Sequence, residues 1–246
     1  MSVRSACLVP AAPVLLPELC GSTRPIADVR QCVLDVLGDL SRRRPDRIVL
    51  IAEGNSTTAY PATMPLGLHR LGGMATRDRT AQVFLPVSLA VGLRLLQMAG
   101  WQGQTLVQAI EGSLAGPEVL QIGRGISQDA EETAVVLLGN ASARSTEKAP
   151  GSLHAGAEHF NAEVARMVAS GDRDAMIAMT AEEAGDQLSD IRIGLQILAG
   201  LGPELPSGAD LVRTYEVNGV CYVIAAFREV AHETPANVPL TTADPS

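Results

Sequence analysis

Thr133-Ala134-Val135-Val136-Leu137-Leu138 is a short apolar run rich in β-branched residues, and Gly139-Asn140-Ala141-Ser142-Ala143-Arg144-Ser145-Thr146-Glu147-Lys148-Ala149-Pro150-Gly151 follows it without a break. The first stretch reads as a strand buried on both faces, the habit of an open α/β sheet. Loops leaving the carboxyl ends of such strands form the ligand crevice, so the polar block is the first place to seek a site. The plainer reading is that Glu147 and Lys148 are solvated charges and that Ser142 or Ser145 caps a helix.

A second run of the same kind, Arg47-Ile48-Val49-Leu50-Ile51-Ala52, opens into the polar Glu53-Gly54-Asn55-Ser56-Thr57-Thr58. Around these two strands the pattern alternates. Ala6-Cys7-Leu8-Val9 reads as a first strand, stopped by Pro10 and Pro13. Ile26, Val29, Val33, Leu37 and Leu40 share one face of a helix that begins near Pro25 and ends before Pro45. Pro61 to Arg79 is rich in Gly, Pro, Met and Arg without periodicity and reads as a long loop or lid. Ser88 is placed to cap a helix carrying Leu89, Leu93 and Leu96, closed by Gly100.

Gln104 to Ile110 fits a third strand. Ala157 to Ala169 fits a helix with Phe160, Val164, Met167 and Val168 inward. Thr180-Ala181-Glu182-Glu183 has the form of a capping box, and Ser189 stands where a last helix, with Ile191, Leu195 and Leu198, would start. Tyr215-Glu216-Val217, Asn218-Gly219 and Val220 to Phe227 form a β-hairpin with a type I′ turn. The economical fold is one α/β domain over residues 1–232, with a mixed, largely parallel central sheet flanked by helices and a C-terminal hairpin. Residues 233–246, acidic and Pro-containing, read as a flexible tail.

Composition narrows the function classes. The 246 residues are 46% hydrophobic but only 3% aromatic, so Ala, Val, Leu and Ile must build the core. Eighteen of the nineteen basic residues are arginine, Lys148 being the lone lysine, and the net charge is −8. Only Arg42-Arg43-Arg44 clusters, at a helix end where cations belong, which argues against nucleic acid as a partner. Cys7, Cys20, Cys32 and Cys221 lack CxxC spacing and read as thiols in a reducing compartment. With no apolar run near the roughly 20 residues of a membrane span and no signal-peptide pattern, the expectation is a cytoplasmic protein that does not enter membranes.

Three stretches carry a resemblance. Pro10-Ala11-Ala12-Pro13-Val14-Leu15-Leu16-Pro17-Glu18, Leu85-Pro86-Val87-Ser88-Leu89-Ala90-Val91-Gly92 with Ala99-Gly100-Trp101, and the block from Gly139 to Gly151 resemble compact actinobacterial proteins. Those are classed with the catalytic subunits of class III extradiol ring-cleavage dioxygenases. The resemblance implies a non-haem iron(II) enzyme that opens a catechol ring with dioxygen, using two histidines and a carboxylate on one face of the metal.

Against that pattern the ligand positions are altered. Where active members carry Pro-His-Pro-Pro after the first strand, this chain has Ala11, whose methyl group cannot bind iron. After the second strand stand Glu53, Asn55, Ser56 and Thr57 rather than histidine, leaving His69 as the candidate that would have to swing in. The acid/base histidine expected near Gly139 to Ser142 is missing, and Asn140 and Ala141 replace the Asp-Gly of related sequences. The resemblance gives no position for the carboxylate ligand.

The other histidines offer little. His154 and Glu158, four apart, have the spacing of a shared helix face, with His159 pointing elsewhere and His232-Glu233 beside the tail; two such residues fall short of a metal site. Asn140-Ala141-Ser142-Ala143-Arg144 lacks the glycines of a nucleophile elbow, and Gly123-Arg124-Gly125 is no dinucleotide fingerprint.

The sequence therefore points to a degenerate member of that superfamily. It would have no metal and no cofactor, and a retained pocket lined by Ala11, Glu53, Asn55, Ser56, Asn140, Ser142, Arg144 and Lys148. Arg144 and Lys148 favour a small anionic ligand there, and a protein partner is the other occupant considered. The alternatives are an active iron(II) dioxygenase with an unorthodox ligand set including His69, and a structural subunit of a homo- or hetero-oligomer.

Overall fold

A computed structural model describes residues 3–228 apart from 21–23, 73–80, 129–130, 203–204 and 207. Its centre is a seven-stranded sheet in the order β3-β4-β2-β5-β1-β7-β6. The strands are β1 (Val3–Val9), β2 (Arg47–Gly54), β3 (Thr58–Tyr60), β4 (Gln104–Glu111), β5 (Thr133–Leu138), β6 (Leu211–Val217) and β7 (Val220–Arg228). β4, β2, β5 and β1 run parallel, while β3, β7 and β6 are antiparallel to their neighbours. The mixed, largely parallel sheet expected from the sequence is present, with the terminal hairpin as its edge.

β5 is buried at all six positions because the strand lies between two packed layers. Val136 and Leu138 join one core with Leu50, Ala52 and Val9; Val135 and Leu137 join the other with Ile51 and Leu8. Period-two alternation therefore exists in these strands, but both faces demand apolar residues. Each fully buried Val, Leu or Ile contributes roughly 1.5–3 kcal/mol.

The helices are α1 (Pro17–Cys20), α2 (Arg24–Arg42), α3 (Val87–Met98), α4 (Gly116–Ser127), α5 (Ala157–Ser170), α6 (Arg173–Ala178), α7 (Ala181–Asp186) and α8 (Arg192–Gly200). α2 and α3 cover the first face; α4, α5, α6 and α8 cover the second. The loops after β1 and β2 lead to the first face, those after β4 and β5 to the second. The chain thus parts at the carboxyl ends of β2 and β5, adjacent strands whose loops diverge.

Several local expectations are corrected. α3 begins at Val87 with Pro86 as its N-cap, so Ser88 lies inside the first turn. The last helix starts at Arg192, not at Ser189, whose hydroxyl instead donates to the Asn140 carbonyl at 2.7 Å. His154 precedes α5 and does not share a helix face with Glu158. The loop after β2 contains the short β3, and the long loop contains a 3-10 turn, Leu68–Leu71. The capping box at Thr180 and the type I′ turn, with φ of 54° at Asn218 and 76° at Gly219, form as expected. The tail at 233–246 and His232 lie outside the described residues.

α4 and α6 have no clear counterpart in the sequence pattern. Gly116, Pro117, Gly123 and Gly125 look like loop residues, yet all four lie in α4, where Gly116 and Gly123 permit close packing. A Cβ on Gly123 would lie 2.4 Å from the Ile197 carbonyl oxygen, and one on Gly200 would lie 2.5 Å from that of Leu120. Both obstacles are backbone, which cannot rotate away. Gly123→Ala or Gly200→Ala is therefore expected to destabilise the protein by about 1–3 kcal/mol, read as a lower denaturant midpoint at unchanged slope.

Candidate functional site

Glu53 is the penultimate residue of β2, and strand alternation points it to the second face, where its carboxylate lies against Gly112. A Cβ at residue 112 would stand 2.6 Å from Glu53 Oε1, so glycine there leaves room for the carboxylate. Asp190 approaches from the turn ahead of α8. Its Oδ1 accepts the Asn140 backbone N–H at 2.6 Å and the Asn140 side-chain amide at 3.1 Å. Gly139 makes this approach possible: a Cβ there would come within 2.8 Å of the Ile191 Cα.

Arg192, 2% exposed, is the neighbouring cation. Its guanidinium donates to the carbonyls of Gly112 at 2.6 Å and Leu114 at 3.2 Å, and to Gln196 Oε1 at 2.8 Å. Gln196 in turn donates to the carbonyls of Ile177 and Met179. Arg192 is thus engaged in holding the β4–α4 loop and the end of α6, and among the described residues neither Glu53 nor Asp190 has a salt bridge.

Both carboxyls are held above their ordinary range. For Asp190 burial dominates and outweighs the Asn140 hydrogen bonds that favour the ionised form. For Glu53 burial again leads, the Asp190 charge adds to it, and the Arg192 charge opposes both. Asn140 Oδ1 is buried with no partner among the described residues. Turning that amide over would aim its oxygen at the Asp190 carboxylate, so the pairing fixes the orientation. The strand ends therefore gather two carboxylates and an unsatisfied carbonyl, all acceptors.

The sequence-derived lining residues meet only in part. Asn140 belongs to this cluster, and Glu53 stands beside it. Asn55 and Ser56 are exposed, and Ser56 Oγ pairs with Thr58 Oγ1 at 3.0 Å at the start of β3. Ala11 is 2% exposed and belongs to the core beneath α2 and α3. Ser142 is fully buried, its hydroxyl donating to Gln187 Oε1 at 2.9 Å. Arg144 Nε donates to the Gly151 carbonyl at 2.9 Å and Nη1 to that of Asp186 at 2.8 Å, which closes the loop upon itself. Lys148 is exposed. Of the two cations expected to hold an anion, Arg144 thus braces the loop internally and Lys148 is an exposed ammonium.

Asp190 and Arg192 carry no signal in the sequence pattern. Ser189-Asp190 resembles an ordinary helix cap, and Arg192 sits among apolar residues where an amphipathic reading places it in solvent. Only the contact to Asn140, fifty residues away, distinguishes Asp190.

A facial iron(II) site does not fit these donors. The end of β1 offers a methyl group, and the end of β2 a lone carboxylate. His69 lies edge-on to Phe84, with ring centroids 5.3 Å apart, and His154 Nδ1 faces the Gln187 side-chain amide at 2.8 Å. Cys7 and Cys221 are buried, with burial pushing each thiol up to about 12, and supply no thiolate.

Separately, a cavity of about 440 Å³ lies between α5, α6 and α7, with Phe160, Met167 and Met179 as its apolar lining and Asp186 and Gln187 at the α7–α8 turn. It shares that turn with the Asp190 cluster.

Two substitutions separate these roles. Arg144→Ala removes a brace to two carbonyls and is expected to cost about 1–3 kcal/mol, whereas Lys148→Ala should shift the thermal midpoint by no more than the scatter of surface variants. Ala11→His places an imidazole in a packed core; about 1–3 kcal/mol of lost stability is expected, with no iron retained after anaerobic loading and desalting.

No protein-family model matches the chain, and no curated protein matches it. Among solved structures, it resembles the crystal structure of an uncharacterized protein, JW3007, from Escherichia coli K12. The likeness covers 91% of this chain and 99% of that one at 15% sequence identity, with a TM-score of 0.52. At that identity the two share a fold. Among the described residues no helix is long and apolar enough to cross a membrane.

Proposed function

We propose that this chain is a member of the class III extradiol dioxygenase superfamily by descent, and that it binds a small hydrogen-bond-donating ligand at the strand ends without iron chemistry. The observation that carries this reading is the cluster of Glu53, Asp190 and Asn140 Oδ1. Two part-buried carboxylates without a salt bridge among the described residues and a buried acceptor without a partner all cost stability. Such a cost gathered in the crevice of an α/β sheet is characteristic of binding sites, where the ligand supplies the missing partners.

The polarity of the cluster sets the ligand class. Acceptors gathered at the strand ends select donors: an ammonium group, or a diol such as a catechol. An anion is disfavoured there by like charge, since Arg192 gives its hydrogen bonds to backbone and Gln196. Descent from a catechol-binding superfamily agrees with a diol, although the site would hold it through carboxylates and not through metal.

The test is calorimetric titration of metal-free protein with catechol and with a small alkylamine, followed by anaerobic iron(II) loading of the same sample. Binding without metal, weakened at least tenfold by Glu53→Gln or Asp190→Asn, is the expected result. Stoichiometric retained iron with catechol-dependent oxygen uptake would overturn it. The pH dependence supplies a second readout. A carboxyl whose folded pKa is raised contributes stability that is complete below its unfolded value and is lost as pH rises through the folded one. Wild type should therefore lose stability relative to Glu53→Gln as pH climbs out of the ordinary carboxylate range, with the gap closing in stronger acid.

A further inference from the structure

The two edges of the sheet are built differently. β3 is three residues long, a blunted edge of the kind that discourages pairing. β6, at the opposite edge, is seven residues long and in unbroken register with β7, without proline or bulge. Grooves flank it on both faces, one of about 530 Å³ against α2 and one of about 370 Å³ against α5.

The hairpin fixes which backbone groups point outward. A two-residue type I′ turn makes Val217 and Val220 a hydrogen-bonded pair, and pairs alternate from there. Val217, Tyr215, Arg213 and Leu211 hence turn their N–H and C=O toward β7. Val212, Thr214 and Glu216 turn theirs away from the sheet. Among the described residues those outward groups have no backbone partner, and the Val212 carbonyl takes only the Arg213 guanidinium, at 2.9 Å.

We propose that β6 pairs antiparallel with β6 of a second copy of this chain, about a two-fold axis at Thr214. A continuous sheet across two molecules is the result. The edge is self-complementary in this register alone. With Thr214 opposite Thr214, Val212 meets Glu216 of the other copy, and every outward N–H and C=O on the strand is paired. The pairs between them, which bring side chains closest, are Leu211 with Val217 and Arg213 with Tyr215, an apolar contact and a cation on an aromatic face. A register centred on Arg213 sets Arg213 against itself and Glu216 against Asp210. One centred on Tyr215 runs Val212 into the turn at Asn218 and leaves its backbone groups unpaired. Leu211 and Tyr215 lean on the α2 side, so the partner's side chains enter the groove there.

The full-length chain at tens of micromolar, measured by sedimentation equilibrium, should show twice the 25.7 kDa chain mass. Thr214 is exposed, so Thr214→Lys and Thr214→Glu leave the monomer intact. Each places like charges opposite each other at the axis and should weaken the dimer at least tenfold. Mixing the two in equal amounts should restore it, because lysine then faces glutamate. Hydrogen exchange on the wild type gives an independent readout: the Val212, Thr214 and Glu216 amides should gain protection as protein concentration rises, while the amide of exposed Ser56 does not. A monomeric wild type, a Thr214→Lys protein that dimerises undiminished, or outward β6 amides whose exchange ignores concentration would overturn the proposal.

Discussion

The second face of the sheet depends on α8, a nine-residue helix buried along its whole length. A helix in that position has no solvent-facing stripe, so its polar residues must find partners inside the protein. Arg192 and Gln196 do so by binding carbonyls of other segments, which fastens the β4–α4 loop and the end of α6 to the helix. Gly123 and Gly200 let α4 approach until backbone meets backbone.

The candidate site is a consequence of that arrangement. With α8 fixed, the turn before it delivers Asp190 to the end of β5, where Asn140 receives it with two donors. The same geometry brings a second carboxylate, Glu53, up from the end of the adjacent strand, and commits the nearest cation elsewhere. The result is a small region of unspent acceptors at the strand ends. The polar block after β5 plays a different part. Ser142 bonds to both Asn161 and Gln187 to make a frame, and Arg144 ties that frame to Gly151 and Asp186.

Charge distribution follows the same logic. Arg228 pairs with Asp39 and Asp210 at the hairpin end of the sheet, and Arg94 pairs with Glu18 at 2.8 Å near the first turn. These part-exposed pairs orient elements and add little stability. An arginine-rich basic complement suits such forked contacts to carboxylates and carbonyls better than lysine would. The lone lysine stands outside them, solvated.

The sequence by itself determined the sheet's parallel core, the hairpin and most helices on the first face. Buried β-branched runs, prolines at element ends and Asn218-Gly219 act locally, through sterics and backbone conformation that need no distant partner. It also placed Asn140 and Glu53 at strand ends, because a strand's end is marked where its apolar run stops. Only the tertiary structure decided that Arg144 and Ser142 brace a loop, that Ala11 fills the core, that α4 forms despite its glycines, and that Asp190 and Arg192 matter. Each of these depends on a neighbour far away in the chain or on packing from several sides, and hydrophobic periodicity carries no record of either.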